Sequence, residues 1–228
     1  MKTIVRRRKR AEPGRRRPGG RSQRVWEAVA TAAEAVLVQN GYTGFGIPEV
    51  ARLAGVNPTS LYRRWGSREA LLTALLSSRA DSAITPPDTG SLRADLSEYL
   101  GQAAAFLQTP YGSALLQLGA TAMQKPELQP QRQAYWAERV RHVATILERA
   151  VQRGEVSGAI DPARAVEQLV GPLYARLLFT GQPIDAALIA ASVANAIQPG
   201  LPAPNEALPK KRSARATTRS GSRRGARR

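Results

Sequence analysis

Apolar residues recur every three or four positions from about residue 23 to residue 197, which is the spacing of one face of an α-helix. No stretch of four or more residues alternates convincingly between apolar and polar types, as a half-buried strand would. The pattern therefore predicts an all-α fold. We place its helices at about 23–39, 48–53, 58–65, 68–82, 91–108, 110–123, 126–153, 162–180 and 184–197. The segment 126–153 is expected to be the longest.

Capping residues set the expected ends of several helices. Ser22, Asn57 and Ser67 can accept a hydrogen bond from the free N–H groups of a first helical turn. Asn40-Gly41 predicts the end of the first helix. Pro172 falls inside the penultimate helix, where the apolar pattern resumes after it, so we expect a kink rather than an end.

The charge of the chain is concentrated at its two ends. The net charge is +17, but residues 1–24 carry eleven Lys and Arg against one acid, and residues 210–228 carry nine and none. Both ends are rich in Arg, Pro, Gly and Ser, so we predict disorder there. The expected organisation is a basic arm at 1–21, a smaller helical domain at 22–79, a larger helical domain at 80–200 and a basic tail at 201–228.

The composition excludes several classes of protein. The chain has no cysteine and one histidine, which excludes disulfide frameworks, thiol chemistry and Cys-based or imidazole-rich metal sites. No carboxylate pair, nucleophile elbow or phosphate loop has suitable spacing, so we expect neither an enzyme nor a cofactor. No apolar run of about 18 residues occurs, and we expect a soluble, cytoplasmic, nucleoid-associated protein without membrane contact.

Residues 47–65, IPEVARLAGVNPTSLYRRW, meet the requirements of a helix-turn-helix. Small Ala51 permits close approach of two helices, and Gly55 supplies the turn between them. Val56 fills the gap, and Leu61 ties the second helix to the first. The second helix is then expected to enter a DNA groove, and the domain at 22–79 is expected to be a DNA-binding domain.

The polar side of that second helix supplies the candidate DNA contacts. It begins at Pro58, where a missing N–H costs little. Thr59 and Ser60 can contact base edges, Arg63 can bind guanine, and Tyr62 and Arg64 can reach phosphate oxygens. Arg68, at the start of the next helix, is expected to help bind another phosphate.

The segment from Trp26 to Leu72, centred on GYTGFGIPEVARLAGVNPTSLYRRWGSREALL, resembles the TetR/AcrR family of one-component transcriptional regulators. PDTGSLRADL near residue 90 and LVGPLYARLLFTG at 169–181 also look like a subgroup of that family. The resemblance implies a homodimer paired through the last two helices, a ligand pocket in the C-terminal domain, and release of DNA when ligand binds. Phe45-Gly46 departs from the Thr or Ser that members usually carry there, so a capping contact to phosphate is not expected.

Aromatic and polar residues of the C-terminal half are candidates for the ligand pocket, although each also fits ordinary core or interface. They are Phe106, Tyr111, Gln117, Met123, Trp136, Tyr174 and Arg176, with Leu115, Tyr135 and Phe179 as further candidates for the apolar lining. Trp26, Trp65 and Trp136 are expected to be core aromatics. His142 is expected near the solvent-facing side of the long helix.

Three hypotheses for function follow. The favoured one is a homodimeric regulator, a repressor rather than an activator, that binds a palindromic operator in double-stranded DNA and is relieved by a small molecule of unknown identity. The alternative is an architectural protein that binds DNA without sequence preference through its Arg-rich ends. A third is a ligand-carrying or enzymatic helical domain. The basic ends are either solvated tails or arms that lie along phosphates, and we favour the second.

Overall fold

The computed structural model describes residues 20–156 and 160–198. Residues 1–19 of the predicted disordered arm at 1–21, and all of the predicted tail at 201–228, lie outside the described residues. Residues 20 and 21 already belong to the first helix, so disorder was wrongly predicted there. Within the described part all regular structure is helical, and the predicted all-α fold is confirmed.

Nine α-helices follow one another along the described residues. They are α1 (Gly20–Gly44), α2 (Ile47–Ala54), α3 (Pro58–Trp65), α4 (Arg68–Ala83), α5 (Leu92–Leu107), α6 (Pro110–Ala122), α7 (Gln129–Gln152), α8 (Pro162–Ala175) and α9 (Ala186–Ala196). A 3₁₀ turn at Pro126–Leu128 precedes α7, and a π-helical turn at Arg176–Thr180 follows α8.

The helix ends show which capping predictions were right. Asn57 Oδ1 accepts a hydrogen bond from Thr59 N at 2.8 Å, and Ser67 Oγ accepts one from Ala70 N at 3.1 Å. Gly41 has φ +65°, so the helical path of α1 breaks where Asn40-Gly41 predicted it. The cap assigned to Ser22 was wrong, because α1 already begins at Gly20.

Pro172 does not end α8. The helix continues to Ala175 and then widens into the π-helical turn, so Pro172 does not end the helix, as expected, and the predicted kink stays a prediction. Helix α7, with 24 residues, is the longest uninterrupted helix among the described residues, because the 25 residues of α1 include the break at Gly41.

Two hydrophobic cores hold the helices together. The N-terminal core lies among α1–α4 and contains the fully buried Val36, Leu37 and Leu72. The C-terminal core joins α5, α7, α8 and α9 around residues such as Leu100 and Leu169.

Helix α6 connects these two cores. Its residues Ala114, Leu118 and Ala122 are buried in the N-terminal core, although α6 follows α5 of the C-terminal domain in the chain. Tyr111 and Leu115 pack against both cores. The helix-turn-helix is therefore docked on the C-terminal domain through a shared apolar interface rather than tethered by a linker.

Two polar contacts reinforce this docking. The Tyr42 hydroxyl donates a hydrogen bond to Thr121 Oγ1 at 2.8 Å. Lys125 Nζ lies 2.7 Å from Glu69 Oε1, which joins the segment after α6 to the first turn of α4. Because α4 packs against both cores, the boundary predicted between residues 79 and 80 stays a prediction.

A buried carboxylate orders the segment between α4 and α5. Asp95 is fully buried and accepts hydrogen bonds at 2.6 Å from the backbone N and the hydroxyl of Thr89. Arg153 Nη2 donates to its other oxygen at 3.0 Å. Burial alone would raise the pKa of Asp95, but the Thr89 hydrogen bonds and the Arg153 charge hold it below its ordinary value. This network ties the start of α5 to the end of α7.

Candidate nucleic-acid interface

Helices α2 and α3 form the helix-turn-helix. Ala51 is fully buried where the two helices meet, and Gly55 has φ +65°, which forms the tight turn. Val56 N donates to Ala51 O at 3.0 Å, and Leu61 anchors α3 in the core. The roles predicted for these residues agree with the geometry.

One face of α3 is left to solvent. The exposed side chains are Pro58, Thr59, Ser60, Tyr62, Arg63 and Arg64. Tyr62 is 48% exposed, an unusual position for an aromatic ring beside a well-packed core. The guanidinium of Arg64 lies 4.8 Å from the centre of the Trp65 ring. A polar and basic helix face of this kind fits a major groove.

Aromatic packing fixes α3 against the N-terminal core. The rings of Trp26 and Trp65 lie 5.8 Å apart, and both side chains pack against the N-terminal core. Trp136 packs against the C-terminal core. The three tryptophans are therefore core aromatics, as predicted.

The contacts of Arg68 differ from those of the phosphate ligand that we expected, because its guanidinium binds backbone carbonyl oxygens. Its Nε donates to the carbonyl oxygen of Phe45 at 2.6 Å, and its Nη2 donates to that of Tyr42. Its guanidinium also lies 4.6 Å from the centre of the Tyr42 ring and 3.6 Å from Glu69 Oε1. These contacts join the end of α1 to the start of α4, and the predicted contact to phosphate stays a prediction.

The predicted ligand residues are not brought together as one set. Phe106 is buried in the C-terminal core, Tyr111 lies between the two cores, and Trp136, Tyr174 and Arg176 are half-buried. Gln117 is exposed, and Met123 is 78% exposed, so neither lines an interior cavity as expected. The reason is that α6 turns its Ala114, Leu118 and Ala122 face inward, which leaves Gln117 and Met123 outside. Phe179, at 83% exposure, is also a surface residue.

An open groove of about 380 Å³ lies elsewhere, between the end of α7 and the start of α8. Its apolar lining includes Leu147, Val151, Val156 and Ile160. None of the predicted ligand residues contributes to it.

His142 was expected near the solvent-facing side of α7, and that prediction was wrong. Its side chain is only 12% exposed, and its ring lies edge-on to Tyr99 with 6.0 Å between ring centres. The helical pattern of α7 could not show that α5 covers this side. Burial, and then the charge of Arg139, lower the pKa of His142.

Sequence reasoning also missed a group of buried polar residues in the C-terminal domain. The Tyr99 hydroxyl, Arg139 Nε and Nη1, and His142 Nδ1 are buried without a hydrogen-bonding partner among the described residues. The available signal was the position of Arg139. It occupies the apolar stripe of α7, three residues after Trp136 and four before Val143, where a charged residue is rarely buried unpaired.

The described part of the chain contains no group of three or more His, Asp or Glu residues that could hold a metal ion. None of its helices combines the length and the apolar character that crossing a membrane requires.

The fold and the exposed face of α3 define a helix-turn-helix DNA-binding protein with an attached helical domain. Comparison with known proteins specifies the family. Residues 30–75 match the family model of bacterial regulatory proteins of the tetR family, and residues 86–196 match the tetracyclin repressor-like C-terminal domain.

Individual relatives agree with these matches. The chain is 34% identical over 168 residues to the HTH-type transcriptional regulator AqdR of Rhodococcus erythropolis, covering 74% of this chain and 81% of that one. It is 28% identical over 173 residues to the DNA-binding transcriptional repressor TetR of Mycobacteroides abscessus, covering 71% and 86%. The crystal structure of the TetR family transcription regulator SCO0332 superposes with a TM-score of 0.68 at 32% identity, covering 76% and 96%.

The chain belongs to the TetR family of transcriptional regulators. It is therefore a DNA-binding regulator of transcription and not an enzyme, as its sequence predicted.

Proposed function

We propose that this protein is a homodimeric repressor that binds a palindromic operator and leaves it when a small molecule binds the C-terminal domain. The observation that carries the proposal is the division of α3 into two faces. Leu61 and Trp65 pack inward, while the polar residues between them face solvent. A helix so anchored presents fixed side chains to base edges, which is what sequence-specific binding requires.

The exposed residues receive the following roles. Thr59 and Ser60, near the N-terminus of α3, contact base edges, and Arg63 donates to guanine. Tyr62 and Arg64 bind phosphate oxygens and set the position of the helix. Pro58 opens the helix so that its first turn faces the groove.

Arg68 acts as a positioning residue in this proposal. Its donation to the carbonyl oxygens of Tyr42 and Phe45 holds the approach to α2 against α4. The angle of the helix-turn-helix relative to α4 therefore depends on Arg68. A phosphate contact through its remaining donor capacity is compatible with that role.

Exposed apolar residues near the end of the chain support the dimer. Leu178 is 53% exposed and Phe179 is 83% exposed, just after α8. Ala187, Ala190 and Ala191 form an exposed face of small residues on α9. Apolar surface of this kind is typical of an interface between subunits, and pairing α8 and α9 with those of a second copy would cover it.

The ligand response has a structural route in α4 and α6. Both helices pack in the N-terminal core and also contact the C-terminal domain. A shift of either helix changes the separation of the two α3 helices in a dimer, which must be about 34 Å to match successive major grooves. A coupling free energy of about 1–3 kcal/mol between ligand and DNA is enough to lower operator occupancy severalfold or more.

The remaining support comes from the relatives and from charge. The relative from Mycobacteroides abscessus is named a repressor, which supports repression over activation. The Arg-rich ends add a general attraction to DNA and keep the protein on the chromosome in the cytoplasm.

Selection from random duplex DNA tests the proposal. We expect the full chain to enrich a palindrome at physiological salt and to sediment as a dimer, alone and on the selected DNA. The matched variants are Arg63→Ala on α3 and Arg93→Ala on the exposed side of α5. Only the first should lose enrichment. Retention of DNA without an enriched sequence would favour the architectural alternative instead.

A further inference from the structure

Three side chains of the C-terminal domain contain buried polar atoms that make no hydrogen bond to the described residues. Tyr99 on α5 is 1% exposed, and Arg139 on α7 is 4% exposed. The hydroxyl of Tyr99, Nε and Nη1 of Arg139, and Nδ1 of the neighbouring His142 have no hydrogen-bonding partner among the described residues. Each such group raises the free energy of the folded state, so their gathering in one place calls for a functional explanation.

These groups surround a single guanidinium. The Arg139 guanidinium lies 5.1 Å from the centre of the Tyr135 ring, and its charge acts on Tyr99, Tyr135, His142 and Tyr174. Burial raises the pKa of Tyr99 to about 12 and raises that of Tyr174, while the Arg139 charge opposes both shifts. The phenol groups therefore stay protonated and can donate hydrogen bonds at neutral pH.

The histidine adds an acceptor to this set. Its Nε2 lies 3.0 Å from Glu138 Oε1, so that nitrogen carries the proton. Since the pKa of His142 lies below its ordinary value, the ring is neutral at pH 7, and Nδ1 presents a lone pair. The unused groups are thus two donor nitrogens of a cation, one hydroxyl and one acceptor.

Arg139 also touches the helix that leads to the DNA-binding domain. Its Nη2 donates to Asp81 Oδ1 on α4. Asp81 is half exposed, whereas Arg139 is buried, so the ion-pair partner that the guanidinium has among the described residues lies at the edge of the cluster. An anion that binds from the buried side competes with Asp81 for the same charge.

We propose that Tyr99, Arg139 and His142 form the head-group site for an organic acid with an apolar, aromatic body, and that its binding weakens the Arg139–Asp81 pair that holds α4. This inference rests on the proposed ligand response. The acid's oxyanion accepts from Arg139 and Tyr99, and an adjacent O–H or N–H of the ligand donates to His142 Nδ1. The body packs against the rings of Tyr135 and Tyr174, which are partly buried against the C-terminal core and lie within reach of the Arg139 charge.

The test uses the full chain with the probe 3-hydroxy-2-naphthoate and, as a matched control, its neutral methyl ester. We expect the acid to raise the melting temperature and to bind with a Kd below about 1 mM, with the ester at least about tenfold weaker. Tyr99→Phe and Arg139→Met should each weaken the acid at least about tenfold, because each removes a donor to the oxyanion. Tyr42→Phe, which changes a tyrosine of the N-terminal domain outside the cluster, should leave the Kd unchanged.

The coupling has its own readout. In the wild type the acid should lower affinity for the selected operator. In Asp81→Asn the acid should still bind, but the fold-decrease in operator affinity that it causes should be at least about threefold smaller than in the wild type. A variant that was merely misfolded would lose probe binding as well.

The results that overturn the site are equal binding of acid and ester, no binding of the acid below about 1 mM, or an unchanged Kd in both Tyr99→Phe and Arg139→Met. Operator binding without probe tests the proposed function separately. Failure to bind an operator would refute that function and leave the probe Kd as evidence on the site. If neutral compounds release the operator equally well from the wild type and from Arg139→Met, the proposed function is supported and the head-group site is refuted.

Discussion

The two halves of the molecule differ in their buried polar groups. In the N-terminal domain Asn57 and Ser67 cap helices, and the polar residues of α3 stay in solvent. In the C-terminal domain six buried side-chain atoms lack a partner, and every one of the six that the described residues contain lies between residues 99 and 192. A surface that meets DNA can remain hydrated until contact, whereas a site for a small molecule must hold its polar groups ready inside a core.

The largest expected effect concerns α6, which the two halves share. A Cβ at Gly112 would collide with the backbone of Phe106 and Leu107, whereas one at Gly119 of the same helix meets nothing within 4 Å. Gly112→Ala should therefore lower the free energy of unfolding by about 3 kcal/mol or more, and Gly119→Ala should raise it by about 0.5–1 kcal/mol. Urea denaturation followed by circular dichroism measures both. Similar stabilities for the two variants would contradict the close packing at Gly112.

The next effect separates the exposed reading face from the basic ends. A chain shortened to residues 20–209 should bind duplex DNA roughly a hundredfold more weakly at about 50 mM salt, because fewer counterions are released. Its ratio of operator to random-sequence affinity should change little. Fluorescence anisotropy across a salt series gives both quantities. Equal salt slopes for the two chains would show that the ends do not touch phosphate.

Variants of α3 should divide by role. Arg63→Ala should weaken operator binding by about 2 kcal/mol and relax the preference at one base position, and Thr59→Ala should alter preference in the same way but less. Tyr62→Phe, which removes the hydroxyl that we propose binds phosphate, should weaken binding to all DNA sequences about equally. Binding profiles on a library of single-base operator variants distinguish these results, and indistinguishable profiles would count against the assigned roles.

The smallest expected effect compares two tyrosines directly. The Tyr42 hydroxyl donates to Thr121, whereas the Tyr99 hydroxyl is buried without a partner. Tyr42→Phe should cost about 1 kcal/mol of unfolding free energy, and Tyr99→Phe should cost nothing or stabilise the protein. Thermal and urea denaturation of the pair measure the difference. An equal loss in both variants would mean that Tyr99 has a structural hydrogen bond, which removes the basis of the head-group site.

Sequence-based prediction succeeded where the causes are local. Asn57-Pro58, Ser67 and Gly55 act on residues within one helical turn, so the bounds of α3 and the turn before it were readable directly. The exposed face of α3 followed from the same short-range pattern. The cap assigned to Ser22 was wrong because a capping residue can also lie inside a first helical turn. No local feature of the sequence distinguished the cap position from a position inside the helix.

Prediction failed where the causes are contacts between distant helices. Met123 and Gln117 were chosen for their chemistry, but the packing of α6 on α1 and α4 turns them outward. His142 was placed near solvent because the pattern of α7 does not include its neighbour α5. Arg139 was overlooked since a lone arginine is usually a surface residue, and its burial depends on three helices closing around it.

The sequence by itself determined the all-helical class, the helix-turn-helix, the exposed polar residues of α3 and the separation of a nearly neutral body from two strongly basic ends. Each of these depends on residue type and on spacing within a few turns. Only the tertiary structure decided that α6 is part of the DNA-binding domain's core, that Arg68 binds carbonyl oxygens, and that Tyr99, Arg139 and His142 meet. Those outcomes depend on which surfaces are removed from water when helices far apart in the chain pack together.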